Sequence, residues 1–138
     1  MNRLQGTIQA ISTVDRLTLI DVTVGGDRIT GMIIDTPETN PNLRKGQEVW
    51  VVFKESDVAL GHVAADQISI SNRLSAKVNN IERGKLLSRV VLDYQDQVIH
   101  AIIPNRSLDH LKVEVDKSID LLLRINEILL LNKASNEE

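Results

Sequence analysis

Slid along itself by 70 residues, this chain matches itself, and no other feature limits its fold so strongly. Asn2-Arg3-Leu4 falls on Asn72-Arg73-Leu74, Ile11 on Ile81, Leu17 on Leu87, Ile29 on Ile99, Ile33 on Ile103 and Leu60 on Leu130, without a gap. Conservative pairs extend the pattern: Ile8 with Val78, Val49 with Ile119, Val51 and Val52 with Leu121 and Leu122, Lys54 with Arg124, Asp57 with Glu127, and Val58 with Ile128. A long period present only twice reads as tandem duplication, because a solenoid needs roughly three or more units to bury a continuous core. The chain therefore reads as two modules, residues 1–66 and 67–138, with the junction in 61–70.

The pattern inside each copy is that of short strands. Leu4 to Ile8 opens one; Leu17 to Val24 is rich in β-branched residues; Gly25-Gly26-Asp27 turns the chain into Ile29 to Ile34. Residues 35–42 hold Pro37, Pro41 and several cap-forming side chains, which predicts a loop or one helical turn, and Lys45-Gly46-Gln47 turns into the strand Val49 to Phe53. In the second copy, Ile119 to Leu131 alone would pass for an amphipathic helix, since leucine and glutamate favour helices. Its partner at the offset, Val49 to Leu60, carries valines and bulky rings suited to a pleated surface, so both segments are predicted strands. Ser107 comes after Pro104-Asn105 and is expected to cap a brief helix. The expected fold class is all-β, with five strands and a short helical turn in each module. About 60 residues make a small core, which pairing of the modules and oligomerisation would relieve.

Charge and composition exclude several functions. Net charge is −3 with a pI near 5.6, and the basic residues are scattered among 19 acids without forming a stripe along which phosphates could run. Trp50, Phe53 and Tyr94 are the only aromatic residues, too few for a single-strand stacking platform. Nucleic acid is thus not an expected partner. Cysteine is absent, which removes disulfides, thiolate metal sites and thiol nucleophiles. His62, His100 and His110 have no metal-ligand spacing, and no phosphate loop, nucleophile elbow or paired-carboxylate motif is present. Neither a metal site nor catalysis is expected. No stretch is long and apolar enough to span a bilayer or to serve as a leader, so the expected location is cytoplasmic.

Three short motifs, in order and twice over, resemble the molbindin or Mop module, also called TOBE. The opening strand is similar in Ser69-Ile70-Ser71-Asn72-Arg73-Leu74 through Val78, and in shortened form in Asn2-Arg3-Leu4 through Ile8. The middle motif is similar in Ile103-Pro104-Asn105-Arg106-Ser107 with Leu111 and Val113 to Ile119, while the first copy keeps its Leu43 to Val49 turn. The closing motif is similar in Lys54-Glu55-Ser56 through Leu60 and, with arginine for lysine, in Arg124 through Ile128. The resemblance covers nearly the whole chain. It implies tandem OB-like five-stranded β-barrels and capture of molybdate or tungstate where modules meet, with no organic cofactor. It also implies a homo-oligomer, a trimer of tandem modules being favoured.

Such a dianion offers only acceptors, so its site must supply donors, and a charged donor bonds about twice as strongly as a neutral one. Lys54 and Arg124 are the natural cations. The resemblance adds Ser69, Ser71 and Asn72 on the ligand-contacting strand and Ser107 in the middle motif, with Ser56 and Thr36 behind them. Each has a plainer reading: a solvated strand end for the cations, a cap or outward position for the serines, a local backbone bond for Asn72 and Asn2. Two departures bear on the site. The family arginine is replaced by Ser71 in one copy and Met1 in the other, where nothing aligns with Ser69; and Ala76 stands where Gly6 keeps the family glycine. The missing arginine motivates an alternative, a degenerate regulatory module beside the ATP-hydrolysing subunit of a transporter.

Overall fold

The computed structural model describes residues 1–34, 43–63 and 67–133. Its elements repeat at the same offset of 70 as the sequence. Strands β1 (Asn2–Val14), β2 (Leu17–Val24), β3 (Asp27–Ile33), β4 (Glu48–Phe53) and β5 (Ala59–Gly61) are answered by β6 (Asn72–Arg83), β7 (Leu87–Tyr94), β8 (Gln97–Pro104), β9 (Ser118–Leu123) and β10 (Leu129–Asn132). A 3-10 turn, Glu55–Asp57 or Ile125–Glu127, precedes the last strand of each half, and one helix, α1 (Asn105–Leu111), comes after β8. The segment read as a tempting helix is thus strand, turn and strand. The loop or helical turn expected at 35–42 lies outside the described residues.

Alternation explains the sheets. In β2, Thr18, Ile20, Val22 and Val24 point inward while Leu17 and Leu19 point out; β7 repeats this with Ser88, Val90, Leu92 and Tyr94. Strand β1 pairs with β4 over Asn2–Thr7 and with β2 over Thr7–Val14, changing register between Ile8 and Ala10; β6 has the matching irregularity between Val78 and Asn80. A bulge at this point bends one long strand so that it can serve two neighbours, which curls the sheet. Gly6 sits on the inner face of this bend, where an added Cβ would lie 2.4 Å from Val22 Cγ1. Its counterpart Ala76 is also buried, with Leu92 at the position equivalent to Val22, so the glycine answers to local packing in the first half only.

The order of strands shows what duplication does here. One sheet runs β10-β4-β1-β2-β3 and the other β5-β9-β6-β7-β8. The last strand of each repeat therefore completes the sheet of the other repeat: Leu129–Asn132 pairs with Val49–Val52, and Ala59–Gly61 with Asp120–Leu122. Ile128 and Leu130 reach across to lie beside Gly31 of β3. The buried side chains of both halves form one cluster, from Leu4 and Ile20 to Leu121 and Ile128.

Two asparagines seal the seam between the halves. Asn2, 3% exposed, accepts from His100 N–H at 2.8 Å and donates to His100 C=O at 2.9 Å. Asn72, 1% exposed, does the same with Thr30, at 2.8 Å in both directions. Residues 30 and 100 are equivalent, so the exchange is reciprocal. Each amide reads a backbone donor and acceptor as a neighbouring strand would, satisfying groups that are partly withdrawn from water at the seam.

Helix α1 is real but is not capped as expected. Pro104 occupies the N-cap position and no side chain bonds the first turn, so Ser107 lies inside the helix. Asn105 takes up the anchoring role, its side chain bonded to Ser88 Oγ and to Gly84 C=O. The αL residue Lys112, φ 53°, ends the helix.

Candidate functional site

The register of β6 on β9 builds a cleft at the start of the second repeat. Asn72 pairs with Leu123, so the chain before β6 runs antiparallel to the chain after β9 and brings Ser71 opposite Arg124. Beyond this point the two segments part, because Arg124 opens a 3-10 turn with extended torsions of φ −76° and ψ 146°. The resulting cleft, of about 180 Å³, is lined by Ser69, Ile70, Ser71, Leu123, Arg124, Ile125 and Asn126. Two hydroxyls, one amide and one guanidinium are its polar side chains, and no carboxylate lines it. Among the described residues no carboxylate pairs with Arg124. A cleft carrying one cation and several neutral donors suits a small, acceptor-only anion.

Three of the six leading candidates from the sequence thus meet here: Ser69, Ser71 and Arg124. Asn72 is adjacent in the chain but turned away, with its amide oxygen and nitrogen engaged on Thr30. Its plainer reading as a backbone-bonding residue is the one the geometry supports, although the backbone belongs to the other repeat. Ser107 lies elsewhere, in a groove of about 420 Å³ shared with Ser56, His110, Pro104 and apolar side chains including Val58, Leu60 and Ile103. Thr36 is outside the described residues.

Lys54 occupies the position equivalent to Arg124, with torsions of φ −78° and ψ 151°. Its surroundings differ. The next residue is Glu55, whose Oε2 lies 3.0 Å from Arg89 Nη2, 3.8 Å from His100 Nδ1 and 3.8 Å from the Met1 amino group. Arg89 and His100 come from β7 and β8 of the other half. This cluster was not legible from spacing, since its members are 34 and 45 residues from Glu55 and belong to no motif.

A third, more polar groove of about 350 Å³ runs along Gln5, Thr7, Thr23, Glu48 and Lys133. Its cation is already shared, with Lys133 Nζ 3.8 Å from Glu48 and 3.0 Å from Gln5 Oε1. It is less suited to an anion than the Arg124 cleft. No cluster of three or more metal-ligating side chains occurs among the described residues, and none of their helices is long and apolar enough to cross a membrane.

Comparison with known proteins agrees with this architecture. Residues 68–130 match the TOBE domain family. The fold superposes on a crystal structure of the cytoplasmic molybdate-binding protein ModG with molybdate bound, with a TM-score of 0.88 at 22% identity, covering 95% of this chain and 95% of that one. A comparison with curated protein sequences found no match.

Proposed function

We propose that this chain, whose second repeat is a TOBE domain joined in tandem to a first repeat of the same topology, is a cytoplasmic protein that binds molybdate or tungstate and holds or buffers it, without catalysis. The carrying observation is the cleft that joins Ser69, Ser71 and Arg124 without a carboxylate. A bound tetrahedral dianion would accept from the guanidinium and the two hydroxyls, and Asn126 and nearby backbone N–H groups could complete its shell. The fold shared with a molybdate-binding protein supports the same reading.

Self-association belongs to this reading. Leu86 and Leu87 are 81% and 54% exposed, and in the first half Leu17, the equivalent of Leu87, is 44% exposed and Leu19 37%. Large apolar side chains left exposed on a small surface favour contact with another copy, and a trimer is the assembly expected from the resemblance. Analytical ultracentrifugation of the full chain tests this; a monomer at tens of micromolar would reject it.

Isothermal titration with molybdate, tungstate, sulfate and phosphate tests the function. The expected result is saturable heat with the two larger anions, lost or weakened at least tenfold in Arg124→Ala. No heat with any anion would reject the reading.

A further inference from the structure

The two repeats present equivalent turns but unequal chemistry, and from this we infer that only the second repeat offers an open oxyanion site. In the first, the residue equivalent to Ile125 is Glu55, a carboxylate already bound to cations of its own. This inference rests on the function proposed above and concerns how many anions of this kind a chain can hold.

Equivalence is established by backbone and register. Lys54 and Arg124 both precede 3-10 turns with nearly identical torsions, and both come directly after strands paired in the same register, Asn2 with Phe53 and Asn72 with Leu123. The residue after the cation differs. Ile125 lines the open cleft beside Arg124, and the equivalent Glu55 is a carboxylate with only 18% of its side chain exposed.

Glu55 is not simply a surface acid that happens to lie near a lysine. Arg89 donates to it at 3.0 Å, and His100 stands 3.8 Å away. The equivalents of these two residues in the other half are Leu19 and Thr30, which carry no charge. The carboxylate and its cations therefore stand as a set on one side of a symmetric frame. The set occupies the contact between the first repeat's turn and β8, the counterpart of the place where the second repeat's turn meets β3.

The consequence for a second dianion is repulsion. Beside Lys54 it would meet a carboxylate that already engages the cations there, Arg89 at 3.0 Å and, at the position equivalent to Ser71, the Met1 amino group at 3.8 Å. Among the described residues that line the Arg124 cleft there is no acid. A carboxylate close to a bound dianion disfavours it where water is partly excluded.

The test is a count of molybdate ions bound per folded chain, by titration calorimetry and by equilibrium dialysis. Arg124→Ala should remove one bound ion per chain, Lys54→Ala should remove none, and Glu55→Gln should add one that disappears again in Lys54→Ala/Glu55→Gln. Loss of an ion in Lys54→Ala alone, or an unchanged count in folded Glu55→Gln, would overturn the inference while leaving the binding function intact. Absence of binding in the parent chain and in every variant would overturn both. Should Glu55→Gln fail to fold, judged by its thermal melt, the contrast between Lys54→Ala and Arg124→Ala still decides.

Discussion

Replacing Asn72 with alanine should weaken the whole molecule, because this side chain is the seam's only link to the Thr30 backbone in the described residues. Two hydrogen bonds of 2.8 Å are lost, one to the Thr30 N–H and one to its C=O. A buried donor or acceptor left without a partner costs about 1–3 kcal/mol. Thr30 is only partly buried, so water can recover some of this, and the total comes to about 2–4 kcal/mol. For a chain of this size each kcal/mol moves the midpoint by roughly 3 °C, giving a fall of about 6–12 °C. Asn2→Ala should fall by a similar amount, since its bonds to His100 are nearly the same length. Asn79→Ala on the same strand is the control: it loses one exposed contact with Asp93 and should change stability by less than about 0.5 kcal/mol. Differential scanning calorimetry measures all three. A midpoint for Asn72→Ala within about 2 °C of the parent would refute the idea that the reciprocal asparagines hold the halves together.

Tyr94 is buried and donates to Asp27 at 2.6 Å, so burial first and the nearby carboxylate second push its phenol well above the ordinary value of 10.0. The protonated phenol is favoured in the folded state. Its contribution is therefore complete below pH 10.0 and is lost as pH rises beyond, where the unfolded chain ionises and the folded chain does not. Urea midpoints measured across this range should decline more steeply for the parent than for Tyr94→Phe; parallel curves would refute the assignment. Separately, neither fragment 1–66 nor 67–138 should fold as a stable monomer, because each takes the edge strand of its sheet and part of its core from the other half. Circular dichroism and gel filtration should show unfolded or dimeric fragments that complement each other when mixed, and a native-like monomeric fragment would contradict this.

Much of the fold was legible in the sequence because duplication lets one copy correct the other. The leucine-rich stretch from Ile119 to Leu131 looks helical alone, yet its alignment with Val49 to Leu60 identifies its strands correctly. The exchange of last strands was not legible. A strand keeps the same alternation whichever half it pairs with, so β5 and β10 carry no mark of their partner. Asn2 and Asn72 were visible as identical residues, but their partners lie 98 and 42 residues away, and nothing local announces a seam. Part of the candidate site was legible: donor chemistry and resemblance chose Ser69, Ser71 and Arg124, which meet in one cleft. Ser107 illustrates the limit, since a serine after Pro104-Asn105 suits an N-cap, whereas the proline itself takes that position and Asn105 bonds the neighbouring turn.

The crossing of the final strands also changes how substitutions in this chain must be compared. A change in the tail of one repeat is felt beneath the third strand of the opposite repeat, as Ile128 and Leu130 lie against Gly31. Residues that must vary in concert are therefore partners across the diagonal of the duplication, and neither copy is free to drift at its own rate.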